Sequence, residues 1–261
     1  MKKANPFTHW HPAPEVLELG PQTVDLWRVQ VEMVEESRNL LESTLSADER
    51  ERLEGFHFPD DKHRFIAAHG SLRAVLGRYL HCEPGELVFS DGEHGKPALV
   101  PDQGIEFNLA HSGDFATVAL TRGRRVGIDV ERIRSGISSN VIARQYFSKA
   151  EVADLESLPL EQREAAFFTC WTRKEAYIKG QGLGLSLPLE SFDVSLIPGE
   201  PARLRATRPD AEEAGRWKLY SLDIDPGYGA ALAVEVHSPE QPLEVRQWDW
   251  NSEDSITSSM A

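Results

Sequence analysis

The alternation of apolar and polar residues along the first half of the chain predicts a series of β-strands. Residues 23–31 alternate as a half-buried strand does, and residues 87–89 form a shorter apolar run. Residues 105–113 lead from another strand into a turn, after which residues 115–120 resume the strand pattern. The turn from Thr121 to Arg124 is expected to join this last strand to the next one as a β-hairpin.

Helical periodicity marks four further stretches, and two of them begin with a capping box. Ser46 precedes Glu49 by three residues, and Ser148 precedes Glu151 by the same distance, so that serine and glutamate can each cap an amide of the other. The predicted helices cover residues 47–55, 60–80, 148–158 and 161–179. The glycines at 180, 182 and 184 are expected to end the last helix.

A second sheet is predicted after the last helix, with strands at residues 185–189, 192–194, 217–220 and 230–234. A faint internal repeat relates the two parts of the chain, since residues 72–76 resemble 174–178 and residues 112–116 resemble 226–230. The predicted fold class is therefore α+β, a pseudo-two-fold monomer of two similar halves with a cleft between them. Each half consists of a helix followed by antiparallel strands.

The predicted division of the chain follows from these elements. The ranges are an N-terminal half at 1–131, a linker at 132–140, a C-terminal half at 141–236 and a flexible tail at 237–261. The tail is rich in proline and serine, a composition typical of mobile chain ends.

Two carboxylates share one face of the predicted strand at 125–131. A period of two points Val126, Ile128 and Val130 to one side, and Gly127, Asp129 and Glu131 to the other. Oxygen ligands of this kind suit a hard cation such as Mg²⁺, and Gly127 is expected to leave room for a ligand beside them. Taken alone, the pattern fits two solvated acids on an edge strand better.

The last predicted helix carries Trp171, Glu175 and Lys179 four residues apart, and therefore on one stripe. Glu175 and Lys179 could form part of a site, or could equally be a favourable ion pair on a helix surface.

The charge of the chain limits its partners. A formal net charge of -14 argues against non-specific nucleic-acid binding, which needs a positive surface. Any anion site must therefore be locally basic, and two stretches qualify: arginine, lysine and histidine cluster at 50–78, and arginines cluster again at 122–134.

Targeting and redox signals are absent from the sequence. No run of 18 apolar residues exists, and the two lysines near the start lack a following apolar region, so a cytoplasmic protein without a membrane span is expected. Cys82 and Cys170 lie far apart without a metal-binding spacing, and buried free thiols are expected.

The acidic strand and the helix stripe together resemble the long, Sfp-type 4'-phosphopantetheinyl transferases. The motifs that carry the resemblance are Gly127-Ile128-Asp129-Val130-Glu131, Trp171-Thr172-Arg173-Lys174-Glu175-Ala176-Tyr177-Ile178-Lys179, His63-Arg64, Gly95-Lys96-Pro97, Phe107-Asn108-Leu109-Ala110-His111-Ser112-Gly113, Phe147-Ser148-Lys149 and Gly182-Leu183-Gly184-Leu185-Ser186-Leu187-Pro188-Leu189. Along the chain they occur in the family's order, and the resemblance covers residues from about 46 to 234. Ala110 departs from the family, which commonly has a serine at this position.

The resemblance implies an Mg²⁺-dependent enzyme that moves 4'-phosphopantetheine from coenzyme A to a serine hydroxyl of an apo acyl, peptidyl or polyketide carrier protein, releasing 3',5'-ADP. It implies metal ligation by Asp129, Glu131 and Glu175, and catalytic roles for Asp129, Glu175 and Lys179, with Glu175 helping to take the proton of the attacking hydroxyl and Lys179 holding phosphate oxygens. The implied coenzyme A-binding residues are Arg52, Arg64, Gly95, Lys96, Pro97, His111, Ser112 and Lys179.

Two other functions are weighed against this one. A non-catalytic coenzyme A or nucleotide-binding adaptor on the same scaffold would be expected to have lost the acidic triad, which is complete here. An Mg²⁺-dependent phosphohydrolase would need a further base to position water, and the sequence offers none.

Overall fold

The computed structural model describes residues 9–136, 139–208, 210–238 and 240–250. The helices are α1 Glu35–Ser43, α2 Ala47–Glu54, α3 Pro59–Phe65, α4 Ser71–Leu80, α5 Ser139–Tyr146, α6 Lys149–Ser157 and α7 Leu160–Gln181. The strands are β1 His11–Pro12, β2 Thr23–Gln30, β3 Phe89–Asp91, β4 Pro97–Leu99, β5 Ile105–Ser112, β6 Phe115–Arg122, β7 Val126–Arg132, β8 Phe192–Val194, β9 Leu204–Thr207, β10 Trp217–Ser221, β11 Tyr228–Glu235 and β12 Glu244–Asp249.

The helix ends follow the sequence signals closely. Both capping boxes form, with the Ser46 hydroxyl accepting from the Glu49 amide and the Ser148 hydroxyl accepting from the Glu151 amide. Helix α7 ends at Gly182, whose φ of 70° is the left-handed conformation that favours glycine. The single helix predicted over 60–80 is instead α3 and α4 joined by a π-helical turn at Ile66–Gly70.

A five-stranded sheet has the order β1-β12-β2-β6-β5. Strand β6 pairs with β2 on one side and with β5 on the other, so both of its edges are occupied. The expected hairpin between β6 and the acidic strand is therefore wrong. Strand β7 leaves this sheet and pairs with β11 along its whole length from Val126 to Arg132.

A three-stranded antiparallel sheet of order β10-β11-β7 forms the second layer. The sequence places the acidic strand at the end of the N-terminal half, but its hydrogen-bonding partner belongs to the C-terminal half. The strand predicted at 192–194 forms as β8, but it pairs with β9 in a separate ribbon and not with the second sheet. The strand predicted at 185–189 is wrong, because residues 184–186 and 189–191 form two 3₁₀ turns. Pro188 lies between those turns and cannot donate a hydrogen bond to a sheet.

The stretch after His237, expected to be a flexible tail, contributes a strand to the first sheet. Strand β12 runs parallel to β2, and Arg246 reaches from it to the buried carboxylate of Asp25 through contacts of 2.6 and 2.7 Å. Asp249 likewise accepts two hydrogen bonds from Arg28. A buried carboxylate needs such a partner, which explains why this segment is anchored. Residues 251–261 of the expected tail lie outside the described residues.

The two sheets pack face to face and each has helices on its outer side. Apolar side chains between the sheets include Leu26 from β2 and Val126, Ile128 and Val130 from β7. A second cluster lies between α4 and the five-stranded sheet, and a third lies between α7 and the three-stranded sheet. Mixed helix and sheet in both parts of the chain confirms the predicted α+β class.

Candidate active site

Helix α7 lies directly on the acidic strand because two glycines meet there. A Cβ atom added to Gly127 would lie 2.0 Å from the carbonyl oxygen of Ala176 and 2.3 Å from the backbone nitrogen of Gly180. The room at Gly127 was expected to admit a ligand, and that expectation is wrong because α7 fills it. The close approach brings Glu175 and Lys179, on either side of Ala176, to the carboxylates of β7.

Asp129 and Lys179 form the central contact between strand and helix. The Lys179 ammonium donates to Asp129 Oδ1 at 2.6 Å, and only 5% of the Asp129 side chain is exposed. Burial raises the pKa of Asp129 to about 7, with Lys179 acting in the opposite direction and the negative charges of Glu131 and Glu175 adding to the rise. Asp129, Glu131, Glu175 and Lys179 therefore interact electrostatically, and the three carboxylates among them form an acidic group.

Glu131 and Glu175 complete the acidic group. The Ser112 hydroxyl donates to Glu131 Oε2 at 2.8 Å, which holds this carboxylate from the neighbouring strand β5. Burial raises the pKa of Glu175, Lys179 opposes the rise, and the charge of Glu131 contributes to it. Burial first, and then nearby negative charge, therefore raise the pKa of Asp129 and Glu175 against the attraction of Lys179.

The chemistry of this group fits a hard cation. All the candidate ligand atoms are carboxylate oxygens, and Asp129 Oδ2 is buried without a hydrogen-bond partner. Within the described ranges, however, no three His, Cys, Asp or Glu side chains form a group that could hold a metal ion. Lys179 lies against Asp129 and Ser112 holds Glu131, so the predicted convergence on one cation is not assembled and the ligand set stays a prediction.

A basic cavity of about 510 Å³ opens beside the acidic group. Its lining residues are Arg64, His111, Ser112, Gly113, Asp114, Arg132 and Arg134. Removal of water by neighbouring atoms lowers the pKa of His111, and the positive charges of His69, Lys179 and Arg64 lower it further. Arg64 also pairs with Asp61 at 2.5 Å. An excess of cationic side chains suits an anionic ligand despite the negative charge of the whole chain.

A second cavity, of about 310 Å³, connects the Gly95-Lys96-Pro97 loop with α7. Its lining includes these three residues together with Asn108, Glu175 and Lys179. Lys96 donates to the carbonyl oxygen of Val126 at 3.0 Å, and burial lowers its pKa although Glu106 opposes this shift. Gly95 has a φ of 81°, which requires glycine in practice.

A third cavity, of about 380 Å³, is mainly apolar and shares Arg132 and Arg134 with the basic one. Its lining residues are Glu131, Arg132, Arg134, Ile142, Phe167, Phe168 and Trp171. The three cavities thus surround the acidic group with basic, loop and aromatic walls.

The structure brings most of the predicted site residues together, with one exception. Arg52 is exposed on α2 and lies outside the residues that line the cavity of Arg64 and His111. The sequence places Arg132 and Arg134 in a basic cluster that could hold an anion, but it predicts no role for Asn108. All three residues line cavities beside the acids. The period of two from Asn108 through Ala110 to Ser112 was the available signal, because it places both polar side chains on one face of β5.

Comparison with known proteins agrees with this geometry. A family model described as "4'-phosphopantetheinyl transferase superfamily" matches residues 125–233, and one described as "4'-phosphopantetheinyl transferase, N-terminal" matches residues 32–122. Their common boundary falls between β6 and β7, at the point where the chain passes from the first sheet to the second.

Two relatives cover most of the chain. The 4'-phosphopantetheinyl transferase HetI of Nostoc sp. is 39% identical over 228 residues, which cover 86% of this chain and 93% of that protein. The 4'-phosphopantetheinyl transferase Sfp of Bacillus subtilis is 32% identical over 203 residues, which cover 78% of this chain and 87% of that protein. Across the described residues, none of the helices has both the length and the apolar composition needed to cross a membrane. As the sequence motifs predict, the chain belongs to the enzyme family of 4'-phosphopantetheinyl transferases.

Proposed function

We propose that this enzyme transfers the 4'-phosphopantetheine group of coenzyme A to a serine hydroxyl of an apo carrier protein and releases 3',5'-ADP. The observation that carries the proposal is the contact of β7 with α7. It groups Asp129 with Lys179 and places Glu131 and Glu175 within electrostatic range, between a basic cavity and a glycine-containing loop. The names of the relatives HetI and Sfp support the same reaction.

Coenzyme A is the anionic substrate in this proposal. Arg64 and His111, which line the basic cavity, bind its 3'-phosphate, and the loop Gly95-Lys96-Pro97 receives the adenine side. Lys179 holds oxygens of the pyrophosphate, and Ser112 belongs to the same binding region. Arg52 contributes a more distant positive charge from α2. Positive side chains in a partly enclosed cavity bind phosphate more strongly than the same charges would in open water.

Asp129, Glu131 and Glu175 hold Mg²⁺ in this proposal. A bound Mg²⁺ supplies positive charge that neutralises the phosphate oxygens during transfer. The three carboxylates come from two elements that pack tightly at Gly127, so the packing of α7 on β7 sets their spacing.

The chemical step is a displacement at phosphorus. The serine oxygen of the carrier forms a bond to the β-phosphate of coenzyme A, and the bond from that phosphorus to the oxygen of the leaving 3',5'-ADP breaks. Glu175 accepts the hydroxyl proton, directly or through water, and Lys179 holds the phosphate oxygens as their charge shifts. Positioning and electrostatic stabilisation therefore provide most of the catalysis.

Incubation with coenzyme A, Mg²⁺ and several apo carrier proteins tests the proposal, with mass spectrometry to detect the phosphopantetheine adduct. We expect an adduct with the wild-type enzyme and none with Asp129→Ala, whose fold is checked by circular dichroism. Failure to modify any carrier would contradict the proposal. Coenzyme A binding without transfer would instead indicate an adaptor, and cleavage of coenzyme A without a carrier would indicate a hydrolase.

A further inference from the structure

Strands β5 and β7 lie side by side at the junction of the two sheets, although neither belongs to the other's sheet. β5 is the last strand of the five-stranded sheet, and β7 is the last strand of the three-stranded sheet. The edge of β7 that does not pair with β11 therefore presents backbone amides to β5. Buried amides need acceptors, and here they find them in side chains.

Two side chains of β5 accept hydrogen bonds from amides of β7. Asn108 Oδ1 accepts from the amide of Ile128 at 2.8 Å. Four residues later, Ser112 Oγ accepts from the amide of Arg132 at 3.1 Å and donates to Glu131 Oε2 at 2.8 Å. Both acceptor residues are buried, so water does not replace these contacts readily.

Asn108 and Ser112 are four residues apart on β5, and Ile128 and Arg132 are four residues apart on β7. The two hydrogen bonds therefore have the same spacing on both strands, which run in the same direction here. The amides of the odd-numbered residues of β7 face the other way, toward β11. The amide of Ile133 donates to the Gly227 carbonyl, and the amide of Glu235 donates to the Arg125 carbonyl, just beyond the two ends of the paired residues. Because hydrogen-bonded pairs alternate along an antiparallel ladder, these two bonds show that the amides of the odd-numbered residues of β7 point toward β11. Even-numbered residues therefore present their amides to β5.

We propose that Asn108 and Ser112 are positioning residues, which hold the acidic strand at a fixed height and register beneath α7. Their two hydrogen bonds bracket the backbone on both sides of Asp129, and Ser112 also orients the Glu131 carboxylate. The inference rests on the proposed function for its consequence, which is that correct metal binding depends on both side chains. Groups that orient ligands in this way typically change metal affinity by about 10- to 100-fold.

The test compares Ser112→Ala with Thr117→Val. Thr117 is a matched control because its buried hydroxyl lies on β6, in the same sheet, and among the described residues its hydrogen bond goes to the Ala110 carbonyl at 3.4 Å and not to β7. The first measurement is hydrogen exchange of single backbone amides by NMR. We expect Ser112→Ala to accelerate exchange at Arg132 selectively, Asn108→Leu to accelerate exchange at Ile128, and Thr117→Val to change neither amide.

The second measurement is Mn²⁺ binding in the presence of 3',5'-ADP, followed by electron paramagnetic resonance. We expect binding to weaken by about 10- to 100-fold in Ser112→Ala, to recover in Ser112→Thr, and to stay unchanged in Thr117→Val. A merely structural role would lower the stability of Ser112→Ala and Thr117→Val alike without separating their Mn²⁺ affinities.

The possible outcomes separate this inference from the proposed function. Unchanged exchange at Ile128 and Arg132 in the variants would overturn the inference, even if the wild-type enzyme modifies carriers. Selective exchange effects without any change in Mn²⁺ binding would overturn the positioning role. Failure of the wild-type enzyme to bind Mn²⁺ would overturn the metal proposal and this inference together, whereas failure to modify carriers alone would leave both measurements decisive.

Discussion

Glu49 in the N-terminal half and Glu151 in the C-terminal half occupy the same position in two capping boxes. Each carboxylate also binds a basic residue of the long helical segment that follows it along the chain. Arg73 of α4 contacts Glu49 at 2.6 Å, and Lys174 of α7 contacts Glu151 at 2.8 Å. In each half, an ion pair between the glutamate of the capping box and a basic residue therefore fixes a short helix to a longer helical segment.

The long helices differ at the positions beside these basic residues. One residue after Arg73 stands Ala74, which is buried in an apolar cluster. One residue after Lys174 stands Glu175, which lines a cavity with Lys179. The scaffold is repeated in both halves, but α4 of the N-terminal half has Ala74 where α7 of the C-terminal half has Glu175. The acidic group therefore forms where α7 meets the acidic strand β7, with a contribution from each half.

The largest effect on stability is expected from breaking the buried ion pair between Lys174 and Glu151 in the C-terminal half. Lys174 and Glu151 are both 0% exposed, so Lys174→Met leaves a buried carboxylate without its cation. We expect a loss of about 3–5 kcal/mol in the free energy of unfolding, measured by urea denaturation. Arg144→Met, which removes an exposed ion pair with Glu156, should cost less than about 1 kcal/mol. Similar losses in the two variants would show that the buried pair is not a structural anchor.

The next largest effect is expected from disturbing the close contact between α7 and β7 at Gly127. Gly127→Ala forces α7 away from β7, because the added methyl group would overlap the Ala176 carbonyl. We expect a loss of about 1–3 kcal/mol in unfolding free energy together with loss of carrier modification. Gly85→Ala is the control, since the nearest atom to its added Cβ lies 3.9 Å away. Full activity in Gly127→Ala would contradict the role given to this packing.

The stability of the protein is expected to depend on pH through Glu49, which forms the corresponding ion pair in the N-terminal half. Burial acts to raise the pKa of Glu49, but hydrogen bonds from His69, the Ser46 amide and Arg73 outweigh it and lower the pKa to about 2 from the ordinary 4.5. A lowered carboxyl pKa stabilises the folded state above about pH 4.5, and this contribution is lost as the pH falls toward about 2.

Urea denaturation between pH 6 and about pH 3 measures this contribution through the Glu49→Gln variant. We expect the wild-type protein to lose about 1–2 kcal/mol more than the variant over this range, since partial solvent access reduces the full effect of about 1.4 kcal/mol per pKa unit. Parallel curves for the two proteins would show that Glu49 keeps an ordinary pKa.

The smallest effect is expected at the junction between the halves. By the spacing of its neighbours, the amide of Val130 faces Ala110, whose methyl group cannot accept a hydrogen bond. Ala110→Ser supplies an acceptor and should stabilise the protein by about 0.5–1.5 kcal/mol, seen as a higher midpoint of thermal unfolding. A lower midpoint would show that the amide is already satisfied or that the hydroxyl does not fit.

Local signals in the sequence predicted α2, α6 and α7 well because the causes of these helices are local. They did not predict α1, whose N-terminus has no side-chain cap, or α5. Both capping boxes and the glycine end of α7 depend on residues within a few positions of one another. The identities of the acidic strand and the helix stripe were also predictable, because a period of two and a period near four assign side chains to faces.

Pairing between distant segments could not be predicted in the same way. The turn after β6 permits a hairpin, and only the occupied edges of β6 exclude one. Strand β12 looked like a tail because its anchor, Asp25, lies more than 200 residues earlier in the chain. The absence of a side chain at Gly127 predicts free space beside the strand, but the sequence does not show what fills that space. Tertiary packing places α7 there.

The most direct test of the central claim compares three enzymes in the transfer of phosphopantetheine to one apo carrier protein, followed by mass spectrometry over time. They are the wild type, Glu175→Gln, and Glu161→Gln, which changes an exposed glutamate of the same helix. We predict equal rates for the wild type and Glu161→Gln, and a rate lower by about 10²- to 10⁴-fold for Glu175→Gln. A Glu175→Gln enzyme as fast as the wild type would contradict the claim that the contact of α7 with β7 is the catalytic centre.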